Sequence, residues 1–308
     1  MSYLELQNIS IGYKTPLISY ANAKLNLGDV CLLIGNNGVG KTTLIKSILH
    51  QLDLLHGKII LNQKDIQTLS TEQIAREVAV VFSKAQIPSY YTVRDLISLG
   101  KYIHYPYYFQ LKQEDLDEVQ HIIDDLELQP YQDVLLTNLS DGNLQKAFIG
   151  RAIAQNSPIL ILDEPTTHLD ESNKIIILQL LRKLAKQHNK LILFSSHDWR
   201  LAKEFSDKIW YLLNKILHSG ITEDILNQHQ ELTKISLFSF SENFKPPYIS
   251  APNLETEILY SFLQKNHQKD LSGLKFEFSD GVWLISQSNS QYKASSFAEM
   301  DEILRYIH

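Results

Sequence analysis

Apolar and polar positions alternate along Tyr3-Leu4-Glu5-Leu6-Gln7-Asn8-Ile9, a period of two that predicts a strand with one wet face. Leu17 to Leu27 continues in the same vein. Asp29 to Ile34 is a short, nearly continuous apolar run that ends in a glycine-rich loop, the pattern of a buried parallel strand. Leu44, Ile48 and Leu52 then recur at helical spacing, which predicts a helix over Thr42 to Leu52. Lys58 to Leu61 and Val78 to Phe82 read as strands, and residues 94–100 and 114–128 as helices. Residues 87–109 are aromatic-rich and irregular. Gln145 to Gln155 reads as a helix, Ile159 to Leu162 as a buried strand, Lys174 to His188 as an amphipathic helix and Leu191 to Phe194 as another buried strand. Strand and helix alternate, so an α/β core with a largely parallel sheet is expected.

The texture changes from about Thr233. Phe240, Pro246, Pro247 and Pro252 sit in a polar stretch that reads as a linker. Glu255 to Leu263 is a helix candidate. Leu274 to Phe278 and Val282 to Ser286 flank Ser279-Asp280-Gly281, an Asp-Gly hairpin signal. Phe276 and Trp283 suggest a small core there, and Phe297 to Tyr306 reads as a last helix. The expected division is 1–232 for the main domain, with a helical subdomain at about 87–150, and 233–308 for a small α+β appendage that carries no readable motif.

Composition narrows the classes. The 308 residues are 44% apolar and 21% charged, enough to bury a core. A net charge of −6 lacks the basic footprint of a nucleic-acid binder. The single cysteine, Cys31, leaves no disulfide framework within the chain and predicts a reducing compartment. Met1-Ser2-Tyr3-Leu4-Glu5 has neither a basic start nor an apolar core, so no secretory signal is expected. Apolar runs fall far short of the roughly 20 residues a spanning helix needs.

Two segments carry chemistry. Gly35-Asn36-Asn37-Gly38-Val39-Gly40-Lys41-Thr42-Thr43 fits G-x-x-x-x-G-K-[ST] in full, between a buried strand and a helix. Phosphate oxygens need several N–H donors converging on one point, which a glycine-rich loop opening a helix supplies. Lys41 would reach the β- and γ-phosphates and the Thr42 hydroxyl would ligate Mg²⁺. The second segment, Ile159-Leu160-Ile161-Leu162-Asp163-Glu164-Pro165, ends a buried strand in two carboxylates. At that sheet edge they face the ligand crevice. Asp163 suits Mg²⁺, through water, and Glu164 suits polarisation of the attacking water.

Leu139-Ser140-Asp141-Gly142-Asn143, followed by Gln145, resembles the signature of ABC-type ATPases, usually written L-S-G-G-Q. The phosphate loop, this signature, the Asp-Glu strand, Thr167-His168-Leu169-Asp170 and Ser196-His197-Asp198 occur in that family's order over roughly residues 3–230. The resemblance implies a P-loop NTPase of ABC type with an inserted helical subdomain. It implies two subunits facing head to tail with ATP between them, and hydrolysis of that ATP with Mg²⁺. Ser140, Asp141, Gly142 and Asn143 would then contact ATP held by the partner's loop. His197 would be the switch residue near the γ-phosphate, Asp170 would couple the two sites, and Tyr13 would stack on adenine.

Two departures stand out. The signature has Asp141 and Asn143 where the family has Gly and Gln, which implies altered kinetics. The glutamine expected beyond Val78–Phe82 is replaced by Ser83, with Gln86 three residues on, so either would complete the metal site. Ile11-Gly12-Tyr13, Thr92 to Tyr102 and Leu139 to Gly142 look like the iron–siderophore, heme and cobalamin importer ATPases. That resemblance implies a peripheral subunit on the cytoplasmic face of the inner membrane. Integral membrane permease subunits would dock near Tyr90, Tyr91, Tyr102, Tyr105, Tyr107, Tyr108 and Phe109, and a substrate-binding protein would act indirectly. The competing reading is a non-transport ABC ATPase of DNA repair or translation type, or a different importer subclass. The absence of heptads, the single phosphate loop and the acidic charge weigh against repair and translation types.

Overall fold

The computed structural model describes residues 2–83, 89–105, 110–166, 169–196, 204–229, 244–267, 269–287 and 290–307. The chain divides into two units, Met1–Thr233 and Lys234–His308.

The strands of the first unit are β1 (Leu4–Gly12), β2 (Pro16–Leu25), β3 (Val30–Ile34), β4 (His56–Leu61), β5 (Lys64–Asp65), β6 (Val78–Val81), β7 (Ile159–Leu162), β8 (Leu191–Ser196), β9 (Lys208–Leu213) and β10 (Ile216–Ile221). Its helices are α1 (Lys41–Ile48), α2 (Thr71–Glu77), α3 (Val93–Ser98), α4 (Gln113–Asp125), α5 (Asp141–Ala154), α6 (Glu171–His188) and α7 (Thr222–Gln228). A six-stranded sheet runs β10-β9-β3-β8-β7-β6, parallel except for the β10 edge, and an antiparallel sheet runs β2-β1-β4-β5.

The apolar runs follow from this topology. Val30, Leu32 and Ile34 of β3 enter one core, with α3 to α6, while Cys31 and Leu33 enter a second, with α1 and the antiparallel sheet. Leu160 and Leu162 divide from Ile159 and Ile161 in the same way along β7. A strand buried on both faces must be apolar throughout. All these strands then end at one edge, where the polar residues begin.

Several boundaries differ from the expected ones. α1 stops at Ile48, because His50 turns left-handed at φ 53°, and Leu52 lies beyond it. α5 starts at Asp141 rather than Gln145; its first turn is polar and hides the apolar period. The β9–β10 hairpin, α2 and α7 gave no clear periodic signal. Asn214 and Lys215 join β9 to β10 with φ values of 49° and 68°, a left-handed pair suited to a tight hairpin.

In the second unit, β11 (Tyr248–Ser250), β12 (Leu274–Ser279), β13 (Val282–Gln287) and β14 (Ser290–Ala294) form a sheet in that order, with α8 (Asn253–Asn266) and α9 (Phe297–Tyr306). β11 pairs parallel to β12, so part of the stretch read as a linker is sheet. Asp280 and Gly281 make the β12–β13 turn with positive φ, and Phe276, Trp283, Ile285, Met300 and Leu304 are buried together.

Candidate nucleotide site

At the end of β3 the chain turns through Gly35 to Gly40 into α1. Val39 N–H donates to the Asn36 carbonyl at 3.3 Å, and Gly40 takes φ 116° as it leads into the helix, a conformation a Cβ would strain. The first N–H groups of α1 therefore open toward the loop. Lys41 folds back over it. Its Nζ donates to the carbonyls of Gly35 at 2.7 Å and Asn36 at 3.3 Å and lies 3.8 Å from Glu164 Oε1. The side chain is only 6% exposed. Burial pushes the Lys41 pKa down, and the negative charges of Glu164 and Asp163 oppose that.

β7 brings Asp163 and Glu164 to the same edge. Asp163 is buried, and its N–H donates to the Val81 carbonyl at 2.8 Å. Its Oδ2 accepts the Thr42 hydroxyl at 2.8 Å, and its Oδ1 accepts the Ser195 hydroxyl at 2.7 Å. Ser195 Oγ in turn accepts the Glu164 N–H at 2.9 Å. Glu164 has φ 53°, unusual for a residue with a Cβ.

Asn37, Gly38, Gly40, Lys41, Thr42, Thr43 and Glu164 line one hollow. Ser83 is exposed two residues past β6, whose last residue pairs with Leu162, so it lies at the strand edge that carries Asp163. Gln86 and His197 lie outside the described residues, as do Thr167, His168, Tyr107, Tyr108 and Phe109; β8 ends at Ser196, in register with Ile34. Tyr13 is 66% exposed and does not line the hollow.

Nor do the signature residues. Ser140 caps α5, its Oγ accepting the Asn143 N–H at 3.3 Å. Asp141 is exposed, with Gly142 and Asn143 half-buried. Asp170 caps α6: its Oδ1 accepts the Asn173 N–H at 2.7 Å, and Asn173 Nδ2 donates to its Oδ2 at 3.0 Å.

Two residues, one at the site and one on the signature helix, escaped the sequence reading. Ser195 is one; its only signal is a hydroxyl at the end of an apolar strand. Arg151 is the other. It donates from Nη2 to the Val80 carbonyl at 2.7 Å and so ties the signature helix to β6. Burial lowers its pKa.

A cation-binding role is consistent with these donors. Thr42, Asp163 and Ser83 offer hard oxygen atoms. Among the described residues no group of three or more His, Cys, Asp or Glu side chains is placed to hold an ion. Mg²⁺ bound beside phosphates usually takes phosphate oxygens and water among its ligands.

A loop-capped helix facing a strand-end carboxylate defines a phosphate-loop nucleotide-binding protein. Residues 18–167 match the family described as ABC transporter. The achromobactin transport ATP-binding protein of Dickeya dadantii is 34% identical over 230 residues, 74% of this chain and 86% of that protein. The chain belongs to the ABC transporter ATP-binding family. The iron(3+)-hydroxamate import ATP-binding protein of Bacillus subtilis is 33% identical over 235 residues, 74% of this chain and 87% of its own length. Among solved structures, a metal-chelate type ABC transporter in an inward-facing conformation is 27% identical with a TM-score of 0.67, covering 80% of this chain and 93% of its own. A dimeric bacterial ABC transporter cassette, 23% identical with a TM-score of 0.65 over 71% of this chain and 98% of that one, shares the fold.

Proposed function

We propose that this chain is the ATP-hydrolysing subunit of an importer for iron–siderophore complexes or chelates of that type, heme and cobalamin included. The observation that carries the reading is the meeting of Lys41 with Glu164 and of Thr42 with Asp163 beside one hollow, together with relatives named for achromobactin transport and iron(3+)-hydroxamate import.

The loop from Gly35 to Thr43 would cradle the phosphates of ATP, with Lys41 exchanging its bonds to loop carbonyls for phosphate oxygens. Hydrolysis is phosphoryl transfer to water and depends on positioning and charge stabilisation. Glu164 orients and polarises the water, and His197 acts beside the γ-phosphate. Thr42 and Asp163, with Ser83 or Gln86, would hold Mg²⁺, which neutralises phosphate charge when bound. Tyr13 is the candidate for stacking on adenine. One subunit offers only half of each site: Ser140, Asp141, Gly142 and Asn143 would complete it from a second copy, and Asp170 would couple the two. The helix start at Ser140 does not line this chain's own hollow, as that arrangement requires.

Tyr90, 91% exposed, and Tyr102, 42% exposed, belong to the surface we assign to permease docking. No helix among the described residues is long and apolar enough to cross a membrane. In this reading the subunit acts at the cytoplasmic face of the inner membrane through its permease, with a substrate-binding protein delivering cargo on the other side.

Reconstitution with the co-purifying membrane subunits tests the reading. ATP-dependent uptake of a ferric hydroxamate, abolished by Glu164→Gln, is expected. Uptake of an unrelated solute, or none of any metal chelate, would overturn it.

A further inference from the structure

We propose that Ser195 is a positioning residue for hydrolysis: its one hydroxyl fixes both the Asp163 carboxylate and the Glu164 backbone. The proposal rests on the reading of Asp163 and Glu164 as the metal-holding and water-orienting carboxylates.

The polarity of the arrangement is determined by chemistry. A backbone N–H can only donate, so the Glu164 N–H occupies a lone pair of Ser195 Oγ at 2.9 Å. The single hydroxyl proton then goes to Asp163 Oδ1 at 2.7 Å. Thr42 holds the other oxygen, Oδ2, at 2.8 Å. The carboxylate is pinned at both ends, and it cannot rotate without breaking a charge-assisted bond. Ser195 is wholly buried, so no water replaces the bond if it is lost.

The second half concerns Glu164. Its φ of 53° is uncommon for a residue with a Cβ and persists only where the surroundings hold it. The Glu164 N–H bond to Ser195 is such a hold. It aims the residue away from the line of β7 and toward Lys41, 3.8 Å from its carboxylate. Ser195 also sits on β8, two residues before His197. One buried hydroxyl thus links the strand that carries both carboxylates to the strand that leads to the proposed switch.

Ser195→Ala and Ser195→Thr in the full chain test this. Threonine keeps the hydroxyl and suits a strand. In the alanine variant, exchange of the Glu164 amide hydrogen should accelerate about tenfold, the worth of one lost buried hydrogen bond, while the amides of Leu160 and Leu162 keep their rates. In the reconstituted complex, kcat should fall about tenfold and half-saturating Mg²⁺ should rise, with metal-free binding of a fluorescent ATP analogue changed less than about twofold. Threonine should restore all of these. The proposal is overturned if Glu164 exchange and kcat stay within about twofold of the parent, or if exchange accelerates equally at Leu160 and Leu162, the mark of general loosening. Should the parent complex not hydrolyse ATP, the functional reading fails, and Glu164 exchange still decides whether Ser195 holds the Glu164 backbone.

Discussion

Thr42 and Asp163 stand 121 positions apart in the chain, and their side chains meet at 2.8 Å. The hydroxyl donates to the carboxylate, which leaves its lone pairs available to a cation. The contact exists because β3 and β7 are both parallel strands of one sheet, flanking β8, and end at one edge. Glu164 follows Asp163 at that edge, with its carboxylate near Lys41. Glu164→Gln keeps the shape and removes the carboxylate proposed to polarise water. Phosphate release should fall about 10²- to 10⁴-fold, the usual worth of a positioned general base. Binding of ATP, measured at equilibrium, should persist. A variant that releases phosphate at the parental rate would remove Glu164 from the chemistry.

The proposed metal site has one unassigned member. Ser83 lies at the strand edge beside Asp163, and Gln86 lies outside the described residues. If Ser83 contributes its hydroxyl, Ser83→Ala raises the Mg²⁺ concentration for half-maximal hydrolysis severalfold, and Gln86→Ala leaves it in place. A titration of Mg²⁺ at saturating ATP on both variants decides between them, and the reverse pattern would assign the role to Gln86.

Ser140 has two roles to separate. As the cap of α5 it satisfies the Asn143 N–H. Ser140→Ala should therefore cost about 1 kcal/mol of stability. Ser140→Asp is also a good cap and should retain that stability, yet it turns a negative charge toward the place proposed for the partner's phosphate. Hydrolysis should fall in both variants, and more in the aspartate. Thermal melting alongside phosphate release reads the two effects apart; an aspartate variant with full activity would argue against contact in trans.

How much of this was legible in the sequence varies by residue for physical reasons. The phosphate loop is contiguous, because backbone N–H groups must converge within a few residues, so Gly35 to Thr43 could be read directly. Asp163 and Glu164 are marked by the abrupt end of an apolar strand. Ser195 and Arg151 are not, since a buried hydroxyl or guanidinium takes its meaning from a partner on another strand, such as the Val80 carbonyl. The start of α5 was hidden because capping and signature residues are polar. The β9–β10 hairpin turns through Asn214-Lys215, without the glycine that flags most tight hairpins.

Gly100 lies in a 3₁₀ turn spanning Leu99–His104 that packs on α5. A Cβ there would stand 2.2 Å from the Arg151 carbonyl oxygen and 2.8 Å from the Ala154 Cβ. Backbone cannot yield as a side-chain tip does, so Gly100→Ala should cost about 1–3 kcal/mol. It should also displace the helix that carries the signature, and hydrolysis should fall beyond what the loss of folded protein explains. A melting curve that is unchanged would mean that the turn and α5 are free to separate.

The last prediction concerns pH and the second unit. His267 is buried there, with Nε2 2.8 Å from Asp301 Oδ1. Burial lowers its pKa; Asp301 opposes this, while Lys269 and Arg305 add to it. The unfolded histidine titrates near its ordinary value of about 6.5, so on acidification the unfolded state takes up the proton first. The contribution of His267 to stability is therefore intact above about pH 6.5 and is lost as pH falls from there toward the lower folded value. Amide protection at Phe276 and Ile285 should drop between about pH 7.5 and about 5.5, relative to protection at Leu32 and Ile192 in the first unit. His267→Gln should flatten that difference. Protection that rises on acidification, or falls equally in both units, would show that His267 is not the group responsible.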